Sequence, residues 1–336
     1  MRVLVTGGAG YVGSHTVWAL REQGATVVVF DDLSTGLPEL IGDTPLVVGS
    51  LGDRRLLEET LRHRGIEAIV HFAARAVVPE SLRDPLGYWQ NNVAGTLSLV
   101  QAAVAVGVRR LVFSSTAGVY GPAPAGPLVE ERPVEPHHPY GRTKRAVEVL
   151  LDDCVRAGLL RAVALRYFNA AGADAGGRTG ELHDPGTHLI PLLLGAASGE
   201  RDPITVFGDD YPTRDGTAER DYVHVADLAR AHLAALAFLG GGAPLTELQI
   251  VNLGSGRGHT VREVLAAAEE AIGRAIPWTV GPRRAGDPPR LVAEIGRARQ
   301  VLGWAPQVSD LPSLLASAWR WHGSATRAAW RQRQGR

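Results

Sequence analysis

Cysteine, net charge and long apolar runs are what this sequence has least of. Its 336 residues include one cysteine, and 35 lysines and arginines balance 35 aspartates and glutamates. A single thiol excludes an internal disulfide and a cysteine-based metal cluster, so we expect no metal site and a reducing, cytoplasmic setting. The formal net charge of +0 argues against nucleic acid or a membrane surface as a partner. No apolar run approaches the roughly 18 residues of a membrane-spanning helix.

The first 32 residues predict a strand, a glycine-rich turn, a helix and a second strand. Apolar residues 2–6 lead directly into Gly7-Gly-Ala-Gly-Tyr-Val-Gly13, and a helical pattern follows to about Gln23. A second apolar run, Thr26–Phe30, ends at Asp31-Asp32. Glycines let backbone N–H groups approach a pyrophosphate at a helix N-terminus. An acid at the tip of the second strand accepts hydrogen bonds from the ribose hydroxyls and repels a 2′-phosphate. This order predicts an NAD site, with an empty turn of the same shape as the alternative.

A second pattern, Tyr140-Gly-Arg-Thr-Lys144, is typical of a tyrosine that works as a base. Residues four apart lie on one helix face, and a lysine ammonium beside a phenol is expected to lower its pKa toward neutral pH. Thr116 follows the apolar strand Arg110–Phe113 and can hydrogen-bond over the same site. An ordinary surface pair is the alternative for Tyr140 and Lys144 taken alone.

Alternating apolar strands and helices predict the α/β class, with a Rossmann-type doubly wound parallel sheet. We expect an NAD-binding domain over residues 1–169, with 222–255 packing back on it. Residues 170–323 predict a smaller, loop-rich α/β substrate domain, and 324–336 a frayed tail. The helical segments 86–106 and 140–156 carry more apolar surface than one sheet face needs. They predict a homodimer interface, with core packing as the alternative.

Longer stretches of the sequence resemble those of a known enzyme superfamily. With Thr6-Gly7-x-x-Gly10-x-x-Gly13 and Thr116…Tyr140-x-x-x-Lys144 on one chain, the sequence resembles the extended short-chain dehydrogenase/reductase superfamily. Phe207–His224, Leu165–Asn169 and Pro282–Asp287 look like the UDP-glucose 4-epimerase family within it. The similarity runs in order from residue 1 to about 322.

The resemblance implies a tightly held NAD and a UDP-hexose epimerised at C4 through a 4-keto sugar. Tyr140 is then the base, Lys144 lowers its pKa, and Thr116 hydrogen-bonds the reacting oxygen. The cofactor contacts it implies are Gly7, Gly10, Tyr11, Val12, Gly13, Asp31, Asp32, Ser50, Leu51, Phe72, Ala73, Ala74, Asn91, Ser114, Tyr140, Lys144 and Phe168. The UDP-sugar contacts it implies are Thr116, Tyr140, Asn169, His188, Leu189, Phe207, Arg220, Arg284, Asp287 and Leu291.

Two positions depart from the family pattern, and a third feature separates the chain from a related class of enzymes. Ser50 stands where the family commonly has an aspartate near the adenine. Leu291 stands where tyrosine or a small residue usually limits the space at the sugar C2, which leaves hexose or N-acetylhexosamine open. Ala117-Gly118 replace the acid pair that sugar dehydratases carry. The alternatives are another UDP-sugar epimerase (N-acetylhexosamine, pentose or uronate), a reductase with net redox change, or an NAD-sensing regulatory protein.

Overall fold

The structure is a computed structural model that describes residues 1–121, 126–182, 188–241, 244–284 and 286–333. Residues 183–187 and 285 of the expected substrate region, and residues 334–336 of the expected tail, lie outside the described residues. The strands, in chain order, are β1 (Arg2–Thr6), β2 (Thr26–Asp31), β3 (Leu46–Val48), β4 (Ala68–His71), β5 (Arg110–Thr116), β6 (Arg161–Tyr167), β7 (Asn169–Ala171), β8 (Ile204–Phe207), β9 (Glu219–His224), β10 (Gln249–Leu253), β11 (Gly258–Thr260), β12 (Trp278–Gly281) and β13 (Arg290–Leu291).

Helices fill most of the intervals between the strands. The α-helices are α1 (Tyr11–Glu22), α2 (Arg54–His63), α3 (Val78–Arg83), α4 (Pro85–Tyr88), α5 (Gly95–Val106), α6 (Pro139–Arg156), α7 (Leu189–Ala197), α8 (Val225–Gly240), α9 (Val261–Ile272), α10 (Gly296–Leu302), α11 (Leu311–His322) and α12 (Ala325–Arg333). A π-helical segment (Trp89–Ala94) joins α4 to α5, and 3₁₀ turns occupy Pro38–Ile41 and Ala117–Val119.

Seven parallel strands form the central sheet, in the order β10-β6-β5-β4-β1-β2-β3. Apolar side chains of α2, α5 and α6 cover one face, and those of α1, α8 and α10 cover the other. The doubly wound Rossmann-type sheet is therefore confirmed. The strand order reverses between β1 and β4, and in such sheets ligands bind outside the carboxyl ends at this crevice.

A smaller α/β layer follows the central sheet. Strands β11, β9 and β13 pair in that order, β7 pairs with β9, and β12 pairs with β8. The helices α7, α9 and α11 pack a separate apolar cluster against this layer. Strand β10 returns to the central sheet beside β6, so the chain leaves the smaller layer after β9 and enters it again at β11.

Two segments differ from the sequence expectations. The predicted helix over 86–106 contains the π-helical turn, in which the buried Asn92 accepts from the Arg75 nitrogen and donates to the Arg75 carbonyl. The tail expected to fray is helical through Arg333, because Arg327 and Arg331 pair with Glu200. Within the described residues, every helix is too short or too polar to cross a membrane.

Candidate active site

The glycine turn after β1 forms a tight backbone cradle. Gly7 has φ +69°, and a Cβ there would lie 2.4 Å from the Ala73 nitrogen, at the carboxyl end of β4. A Cβ on Gly13 would lie 2.2 Å from the Gly7 carbonyl oxygen. Helix α1 then begins after Gly10 with no side-chain cap and no acidic residue in its first turn. This N-terminus therefore has the open amides and partial positive charge that suit a phosphate group.

The acid at the tip of β2 braces this cradle. Asp31 is only 7% exposed, and its carboxylate accepts from the Ala9 nitrogen at 3.0 Å and the Leu33 nitrogen at 2.9 Å. Burial raises the pKa of Asp31, and the two amide hydrogen bonds oppose that rise. The neighbouring Asp32 is exposed and bonds Ser34 instead. Asp31 is thus the acid that the fold holds against the glycine turn.

The other residues predicted to contact a cofactor lie around the same crevice, with differing partners. The backbone amides of Phe72 and Ala73 both donate to Thr6 at the end of β1. Tyr11 donates its hydroxyl to the Gly172 carbonyl at 2.6 Å, which ties α1 to the end of β7. The remaining positions are half-buried Val12, Ala74, Asn91 and Phe168, buried Leu51 and exposed Ser50.

The predicted catalytic residues meet where β5 ends and α6 begins. Pro139 starts α6, and Tyr140 and Lys144 lie one turn apart on it. The Tyr140 phenol forms a hydrogen bond with Thr116. Lys144 is 3% exposed, donates to the Ser114 carbonyl at 2.8 Å, and lies 4.8 Å from the ring centre of Phe113. The three predicted side chains are therefore anchored to one strand end.

The expected effect of Lys144 on the Tyr140 pKa is not what these contacts produce. Burial raises the pKa of Tyr140 to about 12, opposed by the Thr116 hydrogen bond. Burial also lowers the pKa of Lys144 to about 7, opposed by the negative charge of Glu148. Since the ammonium donates to a backbone carbonyl and is itself desolvated, it does not offset the burial of the phenol.

A buried ion pair that sequence reasoning missed lies one turn further along α6. The guanidinium of Arg166 donates twice to the Glu148 carboxylate, at 2.8 Å each, and both side chains are at most 1% exposed. Glu148 also accepts from the Ser115 hydroxyl at 2.7 Å, next to Thr116 on β5. Its position four residues after Lys144, on the same helix face, was the available signal.

Two of the residues predicted to contact the substrate, Arg220 and Leu291, lie on β9 and β13. Arg220 forms an ion pair with Asp287, and Arg220 stands in register with Leu291. Leu291 and Phe168 each pack against the apolar cluster of the turn that follows Thr116. Leu291 therefore adjoins both that turn and, through the strand pairing, the strand of Arg220.

The remaining predicted substrate residues have separate partners. Arg284 lies 4.0 Å from the ring centre of Phe207, and Asn169 donates to the Asp221 carbonyl at 3.0 Å. His188 is exposed and pairs with Glu181 at 2.7 Å, and the charge of Glu181 raises its pKa. Leu189 packs in the apolar cluster of α7. Among the described contacts, neither His188 nor Leu189 reaches the catalytic residues.

Known proteins with this arrangement are numerous. Residues 3–254 match the model of the NAD dependent epimerase/dehydratase family. The UDP-glucose 4-epimerase of Rhizobium leguminosarum bv. trifolii is 50% identical over 323 residues, which cover 96% of this chain and 98% of the relative.

Solved structures extend this similarity to the fold. The UDP-glucose 4-epimerase of Brucella ovis, in complex with NAD, has a TM-score of 0.92 at 45% identity and covers 96% of this chain and 98% of its own. The UDP-glucose 4-epimerase of Stenotrophomonas maltophila, with bound NAD and formylated UDP-arabinopyranose, has a TM-score of 0.93 at 40% identity. The match covers 98% of this chain and 99% of that enzyme's chain.

We predict that Glu148→Gln destabilises the fold by roughly 3–5 kcal/mol, because it leaves the buried Arg166 guanidinium without a negative partner. Denaturant unfolding monitored by circular dichroism measures the change in the free energy of unfolding. Glu59→Gln is the matched control, since Glu59 pairs with Arg55 on an exposed helix face and its loss should change little. Equal effects of the two substitutions would contradict the prediction.

Proposed function

The chain belongs to the NAD dependent epimerase/dehydratase family, and from that premise we propose that it is an NAD-dependent isomerase that interconverts UDP-glucose and UDP-galactose. The observation that carries the proposal is the meeting of Thr116, Tyr140 and Lys144 at one strand end. The close backbone approach at Gly7 and Gly13 in the glycine turn, which suits a phosphate group, and the Arg220–Asp287 pair support the proposal. A protein that only sensed NAD would need the turn but not the catalytic residues.

The residues present fit NAD. The close backbone approach at Gly7 and Gly13, and the uncapped N-terminus of α1, suit the pyrophosphate. We assign the adenosine ribose to Asp31, whose carboxylate keeps lone pairs beyond its two amide bonds. Bound NAD⁺ supplies a hydride acceptor that gives the hydride back, together with a positive charge.

The acid–base work then falls to Tyr140. It accepts the proton of the sugar 4-hydroxyl as C4 is oxidised to a ketone, and it returns that proton when C4 is reduced from the opposite face. Thr116, which bonds the Tyr140 phenol, holds the reacting oxygen. Lys144, when protonated, stabilises the phenolate. The 4-keto sugar turns over about its diphosphate linkage between the two steps, so protons and electrons balance.

We assign the diphosphate to β9 and to the segment between β12 and β13. Arg220 and Arg284 are the proposed partners, because guanidinium groups form forked, charge-assisted hydrogen bonds with phosphate. Asp287 orients Arg220 through their ion pair, and the guanidinium of Arg284 stacks on the ring of Phe207. We propose Asn169 as a further contact to the UDP moiety.

We expect Tyr140→Phe to lower kcat by a factor of roughly 10²–10⁴, as for removal of a general base. The measurement is conversion of UDP-galactose to UDP-glucose by chromatography, with protein-bound NAD quantified after release. Tyr88→Phe is the control, since it removes a buried phenol oxygen outside the site and should leave most turnover. Near-normal activity of Tyr140→Phe would exclude it as the base, whereas inactivity of the unmodified protein would exclude the epimerase.

Sugar choice is proposed to depend on Leu291, which packs against the apolar cluster of the turn after Thr116. Leucine leaves less room at C2 than serine and offers no hydrogen bond to an acetamido group. We predict that the protein prefers UDP-galactose to UDP-N-acetylgalactosamine by about 1–3 kcal/mol in kcat/KM, or roughly 10- to 200-fold. Leu291→Ser should narrow that ratio and Leu291→Tyr should widen it. Leu192→Ser, at a half-buried leucine of α7, should leave it unchanged. Equal kcat/KM values in the unmodified protein would contradict this role.

A second copy of the chain is the partner we propose for the helices α3 to α6. They carry the exposed apolar side chains Leu82, Leu86, Trp89, Leu97 and Val149. Closed two-fold pairing of one such face with its copy buries both faces at once.

The buried single thiol suits a reducing compartment, and we propose the cytoplasm.

The dimer is tested with Leu97→Arg. Sedimentation equilibrium should give twice the chain mass for the unmodified protein and the single-chain mass for this variant, because a desolvated charge opposes pairing. Val280→Arg changes an apolar residue of similar exposure on β12, away from this face, and should stay dimeric. A monomeric unmodified protein would contradict the proposal.

A further inference from the structure

His138 occupies the N-cap position of α6, two residues before Tyr140. Its Nδ1 accepts a hydrogen bond from the Gly141 nitrogen at 3.0 Å. A nitrogen that accepts carries no proton, so the neutral ring has its proton on Nε2. The imidazole thus satisfies one of the free amides at the start of the helix that carries Tyr140 and Lys144.

The same ring contacts both halves of the catalytic group. It stacks on the Tyr140 ring, with 5.9 Å between centres and 5° between planes. It also lies against Gly118, where a Cβ would be 3.3 Å from His138 Cε1. The Gly118 nitrogen donates to the Thr116 hydroxyl at 3.1 Å. His138 therefore fills the space between the turn that orients Thr116 and the helix that orients Tyr140.

Two glycines make room for this arrangement. A Cβ on Gly141 would lie 2.5 Å from the Gly118 carbonyl oxygen and 3.1 Å from His138 Cε1. Any side chain at Gly141 would push the helix start away from the Thr116 turn. The imidazole is consequently held on three sides, by its hydrogen bond, by the Tyr140 ring and by the Gly118 backbone.

We propose that His138, as the neutral imidazole, is the positioning residue that sets the geometry of Tyr140 against Thr116, and that its protonation disables the site at acid pH. The proposal rests on the proposed epimerase function. A protonated imidazole has no acceptor for the Gly141 amide. It also places a positive charge at the positive end of the α6 dipole.

The surroundings favour the neutral form. Burial lowers the pKa of His138, and the charges of His137 and Arg142 lower it further. The other titratable group against the ring is the Tyr140 phenol, and the Ala117–Val119 turn contributes none. Because the folded pKa is below its ordinary value, the capped state is complete at neutral pH. It is lost as the pH falls through that lowered pKa.

The kinetic test compares kcat for UDP-galactose from pH 5 to pH 9. His138→Asn keeps a side-chain acceptor at the N-cap but does not titrate, so it should retain activity near pH 8 and shift the acid limb of the profile to lower pH. His138→Ala should lower kcat by roughly 10- to 100-fold at every pH, as for a misplaced catalytic group. His137→Asn is the matched control at an exposed neighbour. In this variant the acid limb should stay at the same pH or move to slightly higher pH, because the His137 charge that lowers the pKa of His138 is removed.

A second measurement does not depend on turnover. Long-range ¹H–¹⁵N spectra of the histidine-labelled protein, with His138 assigned by its loss in His138→Asn, report which ring nitrogen is protonated. An Nε2–H tautomer whose titration midpoint matches the acid limb supports the proposal. An Nδ1–H tautomer, or an unchanged limb in His138→Asn, would overturn it. Absence of turnover in the unmodified protein would count against the epimerase, while the spectra still decide the capping role.

Discussion

The buried pair between Arg166 and Glu148 is the interaction on which the arrangement of the site depends. Arg166 lies on β6 and Glu148 on α6, and the Ser115 hydroxyl of β5 joins them. Two strands and one helix are thereby fixed to each other by charge-assisted hydrogen bonds in the buried interior. Such pairs are costly to desolvate, and their main contribution here is geometric. The helix that carries Tyr140 and Lys144 has a single register against the strand that ends at Thr116.

The same burial governs the acid–base character of the site. It shifts the pKa of Lys144 down to about 7 and that of Tyr140 up to about 12, so both charged forms are disfavoured. Glu148 is the nearby charge that opposes the first shift. Burial alone therefore opposes the phenolate that the proposed reaction needs. In that reaction, the positive charge of the protonated Lys144 would favour the phenolate.

Sequence patterns predicted the parts of this structure that depend on local chemistry. The strand–glycine–helix order around Gly7 required a backbone that only glycine allows, and alternating apolar segments predicted the central sheet. Contacts distant in sequence were not readable. Nothing local to Lys144 reveals that its ammonium donates to Ser114, so the expected direction of the Tyr140 pKa was wrong. His138 was overlooked because an N-cap histidine has no pattern as recognisable as Tyr-x-x-x-Lys.

The two layers of the molecule are held in a common frame by Asp221. Its fully buried carboxylate accepts from the backbone and hydroxyl of Ser255 and from the backbone of Gly256 and Ala293. Ser255 follows β10 of the central sheet, and Ala293 follows β13. One side chain on β9 therefore links the strand of Arg220 to the end of the NAD-side sheet. A sugar that must turn over within the site needs its diphosphate anchored relative to a fixed hydride position. In the proposed reaction, the link through Asp221 would hold the strand of Arg220 at a set distance from the central sheet.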